Sequence, residues 1–154
     1  FYVLGFLIFL ASLLLFLGLF KNGVFKKSFK QEHPVHQTLS ELKSLEKKKY
    51  AESGNFRMFY VELIDITRSF LTQQYHIPAD VLLTDDLIDV MKQTNKISIE
   101  NEKIVEEIFL RGDLVKFAKI FPNQQMINDD FQKIYDFVER STADIEAEHL
   151  REMH

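Results

Sequence analysis

Cysteine does not occur in the 154 residues, and proline and glycine are scarce, at three and five. Without cysteine there is no disulfide, no thiolate metal site and no cysteine nucleophile. So little proline and glycine excludes a disordered Pro/Gly-rich chain and weighs against a β-rich fold. Charge is missing too, in one place only: residues 1–20 carry none. The next thirty residues hold eight lysines against three glutamates, and residues 51–154 hold 11 basic against 20 acidic side chains. An apolar block, a basic collar and an acidic body depart from the profile of an ordinary soluble domain. The chain length suggests one domain.

The first segment reads FYVLGFLIFLASLLLFLGLF. Twenty residues at about 1.5 Å each make a helix of about 30 Å, the thickness of the hydrocarbon core of a bilayer. A helix of a soluble protein would carry a polar stripe, and this one has none. The segment therefore reads as a transmembrane helix over 1–20. Two other readings fit less well. A signal peptide needs a basic start and a small-residue cleavage site, and a buried core helix would be shorter. The chain opens on Phe1 rather than methionine, so a processed or partial chain is expected, with more protein ahead of the span. Gly5 and Ser12, seven apart, share a face with Ala11 beside them. Such small residues permit close helix packing.

Lys21, Lys26, Lys27 and Lys30 follow the span at once, in a basic linker over 21–33. The positive-inside rule puts that side in the cytoplasm. With Phe25 and Phe29 among them, the lysines suit the anionic lipid surface; a solvated stop-transfer signal fits equally.

From Pro34 onward the apolar spacing is helical throughout. Pro34 opens a helix, its missing N–H costing nothing in the first turn. Val35, Leu39, Leu42 and Leu45 form its stripe, Lys47, Lys48 and Lys49 its solvated end, and Gly54 its stop. Asn55 is placed to cap a second helix with Phe56, Phe59, Leu63, Ile66 and Phe70 on one face. Pro78 ends it. Thr84 is expected to cap a third, with Leu87, Val90 and Met91 inward. Ser98 is expected to cap a fourth, with Ile104, Val105, Ile108 and Phe109 inward. Gly112 reads as a helix stop and Asp113 as the cap of a short helix ended by Pro122. Ile127, Phe131, Ile134 and Val138 mark the last helix. The expectation is an all-α cytosolic bundle of about six short helices over 34–141. A charged tail over 142–154 follows, either a frayed helix or disordered.

Chemistry is sparse in this bundle. His33 and His36 lie three apart without a third ligand or an HExxH motif. Asp85 and Asp86 are explained by the negative charge that a helix start favours; Asp89 completes an acidic cluster without the glycine-bearing loop of a cation site. No glycine loop cradles phosphate, and no serine or threonine sits in a nucleophile elbow. An acidic body with its basic stretch beside the membrane is unsuited to nucleic acid. No metal or cofactor is expected. Glu62, Asp65 and Arg68 fall on one side of their helix and read as an ion-pair row. The competing reading is a membrane-bound enzyme using Glu62, Asp65 and His76 in acid–base chemistry. Lys116 and Lys119 lie on one side of the short helix, beside Phe117 and Phe121. They are either a solvated face over a core-facing Leu114/Phe117/Phe121 stripe, or a docking surface for an acidic partner.

Several stretches taken in order resemble a family. PVHQTLSELKSLEKKKYAESGNFRMFYVELIDITRSFL, then YHIPADVLLTDDLIDVM, then GDLVKFAKIFP are similar to the cytoplasmic C-terminal region of BatD-like proteins from the Bacteroides aerotolerance (Bat) gene clusters. The matching positions are Pro34 and His36, Phe59 to Arg68, Ile77 and Pro78, Thr84 to Leu87, and Asp113 to Lys119. Asp80 to Leu83 departs from the pattern, which has a more acidic approach to the threonine. The resemblance implies a single-pass inner-membrane protein, encoded beside MoxR-type AAA+ ATPases and von Willebrand A-domain membrane proteins. It carries over no catalytic residue.

The expected function is thus a non-enzymatic membrane-anchored adaptor. It would dock a MoxR-type ATPase or von Willebrand A-domain partners through Lys116, Lys119 and Phe121, with its C-terminal domain in the cytoplasm. The alternatives are the enzyme above and a structural subunit that assembles mainly through Gly5 and Ser12 in its span.

Overall fold

A computed structural model describes residues 33–152, with side chains followed as far as Ser141. The apolar segment 1–20 with Gly5 and Ser12, and the collar lysines Lys21, Lys26, Lys27 and Lys30, lie outside the described residues. Every regular element described is helical: α1 Pro34–Lys47, α2 Phe56–Tyr75, α3 Thr84–Thr94, α4 Ile99–Asp113, a single π-helical turn Leu114–Ala118, and α5 Gln124–Glu152. Among the described residues no helix is long and apolar enough to cross a membrane.

Helix α2 is the hub. It packs against α1, α4, the π-turn and α5, so it buries more than one stripe: Phe59, Tyr60, Leu63, Ile64, Thr67, Phe70 and Leu71. Helix α1 lies on α2 and α5 through Val35, Thr38, Leu42 and Leu45. Thr38 takes the inward position next to half-buried Leu39, because its hydroxyl donates to the Pro34 carbonyl at 2.8 Å and so needs no other partner. At one end of the bundle Phe70 meets Phe137 edge-on at 5.5 Å, and Tyr75 stacks on Phe137 at 6.2 Å. Burying such rings supplies much of the driving force for folding.

Several helix ends differ from the sequence expectation. Helix α1 ends at Lys47, seven residues before Gly54, and the chain turns at Lys49 in the left-handed region. Gly54, also at positive φ, serves the following turn instead. Asn55 stands at the start of α2 without a side-chain capping bond. Thr84 is the first residue inside α3 rather than its cap. Its hydroxyl accepts a hydrogen bond from Arg68 at 3.3 Å. Ser98 does cap α4, accepting from the Asn101 N–H at 3.3 Å.

The largest differences come after α4. Gly112 lies inside that helix rather than ending it. An alanine Cβ there would overlap Ile64 Cδ1 and come 3.5 Å from Tyr60 Cδ1. Glycine is used for close approach of α4 to α2, not for a turn. Asp113 is helical and caps nothing, and the chain runs straight into the π-turn, so the separate short helix does not form. The described residues thus hold five α-helices and one π-turn rather than six helices. Helix α5 starts where Asn123 accepts from the Met126 N–H at 2.8 Å. It then runs 29 residues, so residues 142–152 of the expected tail continue that helix.

Candidate docking surface

The site begins with a buried charge. Along α5 the inward positions are Ile127, Asp130, Ile134, Phe137 and Ser141, at helical spacing, and all are buried. Asp130 is 1% exposed. An isolated carboxylate there would be very costly. Tyr60 of α2 donates its hydroxyl to one Asp130 oxygen at 2.6 Å, and Arg111 of α4 donates to the other. Arg111 also reaches Glu107 at 2.6 Å, and Lys133 approaches Glu107 at 3.4 Å. Burial pushes the Tyr60 phenol well above its ordinary pKa, and the bond to Asp130 adds to that. Burial opposes the Arg111 charge, but bonds to Asp130 and Glu107 outweigh it and hold the pKa above its usual value. The bond from Arg111 in turn holds Glu107 below the usual carboxylate range. The network joins three helices where the π-turn departs from α4. A cleft of about 280 Å³ opens beside it, lined by Glu107, Arg111, Asn123, Met126, Asp129 and Lys133 among others. Asp130, Arg111, Glu107 and Lys133 are all paired within the network, which fastens α2, α4 and α5 together.

Beyond Arg111 the chain reverses the usual rule. In the π-turn Val115 is buried, but its neighbours face outward. Leu114 is 48% exposed, Phe117 78%, Ile120 57% and Phe121 58%. Leu110, one turn earlier on α4, is also exposed. The expected core-facing Leu114/Phe117/Phe121 stripe is therefore contradicted. With Gly112 and Asp113 helical, the register advances, and only Val115 turns inward. Phe121 touches Phe56 at 5.9 Å between ring centres and is otherwise open. The two phenylalanines alone leave roughly 250 Å² of apolar surface in water, a side chain of this kind offering about 150–250 Å². Adding Leu114 and Ile120 brings the patch to the size that marks interaction sites.

Lys116 bonds to Asp113 at 2.9 Å and lies 5.3 Å from the Phe117 ring centre. Lys119 ends the π-turn in the left-handed conformation, exposed, its N–H bonded to the Leu114 carbonyl. Lys116, Lys119 and Phe121 thus lie in one short surface segment with the exposed apolar side chains.

Glu62, Asp65, Arg68 and His76 are not brought together. Glu62 accepts from Lys48 at 2.6 Å and from Tyr50 at 2.9 Å, which ties the end of α1 to α2. Asp65 is exposed, and among the described residues it pairs with neither neighbour. Arg68 donates to the Ala79 and Leu82 carbonyls at 2.5 and 2.7 Å, over the Phe109 ring, and so pins the α2–α3 loop. The expected ion-pair row does not exist, because Glu62 and Arg68 each turn to a different neighbouring segment. His76 is the exposed cap of α2, about 20 Å along the helix from Glu62 at 1.5 Å per residue. His33 and His36 lie 6.4 Å apart, ring to ring, and among the described residues no cluster of three or more such groups is placed to hold a metal.

Sequence reasoning missed the Tyr60–Asp130–Arg111 network. The signal was present: Arg111 falls three residues after Ile108, and Asp130 three after Ile127, so two opposite charges sit on two apolar stripes. It also missed the exposure of Leu110, Leu114 and Ile120, which depends on α4 not stopping at Gly112. No protein-family model matches the chain, and no curated protein or solved structure does.

Proposed function

We propose that the chain is a non-enzymatic, membrane-anchored adaptor whose helical domain binds a protein partner through the face around the π-turn. One observation carries the reading: Leu114, Phe117, Ile120 and Phe121 stand in water at the end of a well-packed helix, beside a core that had room for Val115 alone. Exposing them costs solubility without adding to the fold, and burial against a partner removes that cost.

The anchor is the apolar segment 1–20, and the lysines after it support a helical domain on the cytoplasmic side. The resemblance to BatD-like proteins supplies the partner class, a MoxR-type AAA+ ATPase or a von Willebrand A-domain membrane protein.

The test uses the full chain, tagged and isolated from its native membranes with and without the double substitution Phe117→Ser/Ile120→Ser. Loss of the ATPase or A-domain partner, with an unchanged thermal melt and unchanged membrane recovery, supports the reading. Retention of that partner removes this face from the interface. Recovery of the chain in the soluble fraction without detergent removes the anchor.

A further inference from the structure

The shape and charge of the same face specify what binds it. Leu110, Leu114 and Phe117 follow one another along the end of α4 and the π-turn as an exposed apolar row at helical spacing. A ridge of this kind packs against the apolar stripe of a second helix.

The charges around it are unbalanced in one direction. Each nearby acid on α4 already has a cation: Glu106 pairs with Lys92 at 3.1 Å, Glu107 with Arg111 and Lys133, and Asp113 with Lys116. Two cations remain. Lys119 is exposed in the rim, and Arg57 is exposed next to Phe56, the residue that Phe121 touches. Among the described residues neither has an ion-pair partner. Residues 51–154 carry 11 basic against 20 acidic side chains, so this corner differs in sign from the domain it belongs to.

Resting on the docking reading above, we infer that the face takes an acidic amphipathic helix from a protein partner, its apolar stripe on Leu110, Leu114 and Phe117 and its carboxylates toward Arg57 and Lys119. An anionic bilayer is the poorer occupant. A flat lipid surface meets the acidic remainder of the domain as well as this corner, whereas one helix meets the corner alone.

The experiment uses the full chain in detergent and two fluorescent helical peptides with the same leucine stripe. One carries glutamates on its outer faces and the other lysines. Anisotropy should give the acidic peptide an affinity at least about tenfold higher, decaying with added salt as exposed charge pairs do. Arg57→Glu/Lys119→Glu should reverse the preference, and Phe117→Ser should abolish binding of both peptides. Both changes are on the surface, and an unchanged helical circular dichroism spectrum verifies the fold. Equal binding of the two peptides, binding of neither, or a preference that survives the charge reversal overturns the inference. So does displacement of the acidic peptide by vesicles of anionic lipid, which would make the surface a lipid contact. If the native partner still requires Phe117 while the acidic peptide has no advantage, the docking reading stands and the acidic helix falls.

Discussion

Two aromatic clusters sit at opposite ends of α2 and meet opposite fates. At the C-terminal end, Phe70 and Phe137 are fully buried, with Tyr75 stacked over Phe137. At the N-terminal end, Phe56 and Phe121 touch, and Phe121 and Phe117 remain largely in water. The residue types are the same, so hydrophobicity alone does not decide which cluster enters the core. What differs is the chain that carries them. Phe137 rides on a long regular helix whose inward positions are buried against α1, α2 and α4. Phe117 and Phe121 ride on a π-turn and a loop, beyond a point where Gly112 lets α4 sit so close to α2 that little room is left beneath. The first cluster holds the molecule together, and the second is surplus to that task.

The contrast should be largest when each cluster is truncated. Phe137→Ala removes a fully buried ring and should cost about 3–5 kcal/mol. Phe117→Ala should stay within about 0.5 kcal/mol of wild type. Urea unfolding of the two variants measures both. A loss of about 2 kcal/mol or more at Phe117, four times the surface expectation, would place that ring in the core and end its candidacy as a contact.

Polar burial gives the next effect. Asp130→Ala leaves the buried Tyr60 hydroxyl without its acceptor and Arg111 with Glu107 alone, and should cost about 3 kcal/mol, the penalty for breaking a buried pair. Replacing both partners, with Asp130→Leu and Arg111→Met, should cost clearly less than the single change. A double variant no more stable than Asp130→Ala would show that the pair stabilises the fold directly, rather than merely satisfying each other.

How much of this was legible in the sequence follows from what each signal reports. Periodicity located all five α-helices, because amphipathic spacing survives whatever the helices pack against. On α5 it identified Ile127, Ile134 and Val138 but missed Phe137, Ser141 and Asp130, whose charge masked its position on the stripe. It failed at Gly112, where one residue type serves two purposes. A glycine that ends a helix and a glycine that admits a neighbouring helix look alike in one dimension, and only the distance to Ile64 separates them. That misreading propagated to Phe117 and Phe121, which a new short helix would have turned inward. The candidate lysines were found because their sign is unusual in an acidic domain. Arg57 was not, since the contact of its neighbour Phe56 with Phe121 arises from packing.

The glycine can be tested on its own. Gly112→Ala gains about 1 kcal/mol of helix propensity but forces Ile64 Cδ1 aside in a packed interior, an overpacking cost of about 1–3 kcal/mol. A net loss of about 1 kcal/mol is expected. Ile64→Val removes the obstructing methyl and alone should cost about 1 kcal/mol. Together the two changes should cost less than their sum, and a thermal-melt cycle reads the coupling. Strict additivity would mean that the two residues do not compete for space.

The smallest effect belongs to the tie between α1 and α2. The hydrogen bond from Lys48 holds Glu62 below its ordinary carboxylate pKa, against a burial effect that works the other way, and Tyr50 adds a second bond. Because the folded value lies below the unfolded one near 4.5, the folded state binds fewer protons at acid pH. The tie therefore contributes fully above that value and is lost as pH falls through the folded pKa. Glu107 loses its contribution in the same range, so wild type alone cannot separate the two. Glu62→Gln should flatten the acid limb of stability against pH while leaving the neutral region little changed, since a partly exposed pair is weak to begin with. An acid limb as steep in Glu62→Gln as in wild type would assign the whole dependence to Glu107, and would leave the α1 contact held by Val35, Leu42 and Leu45 alone.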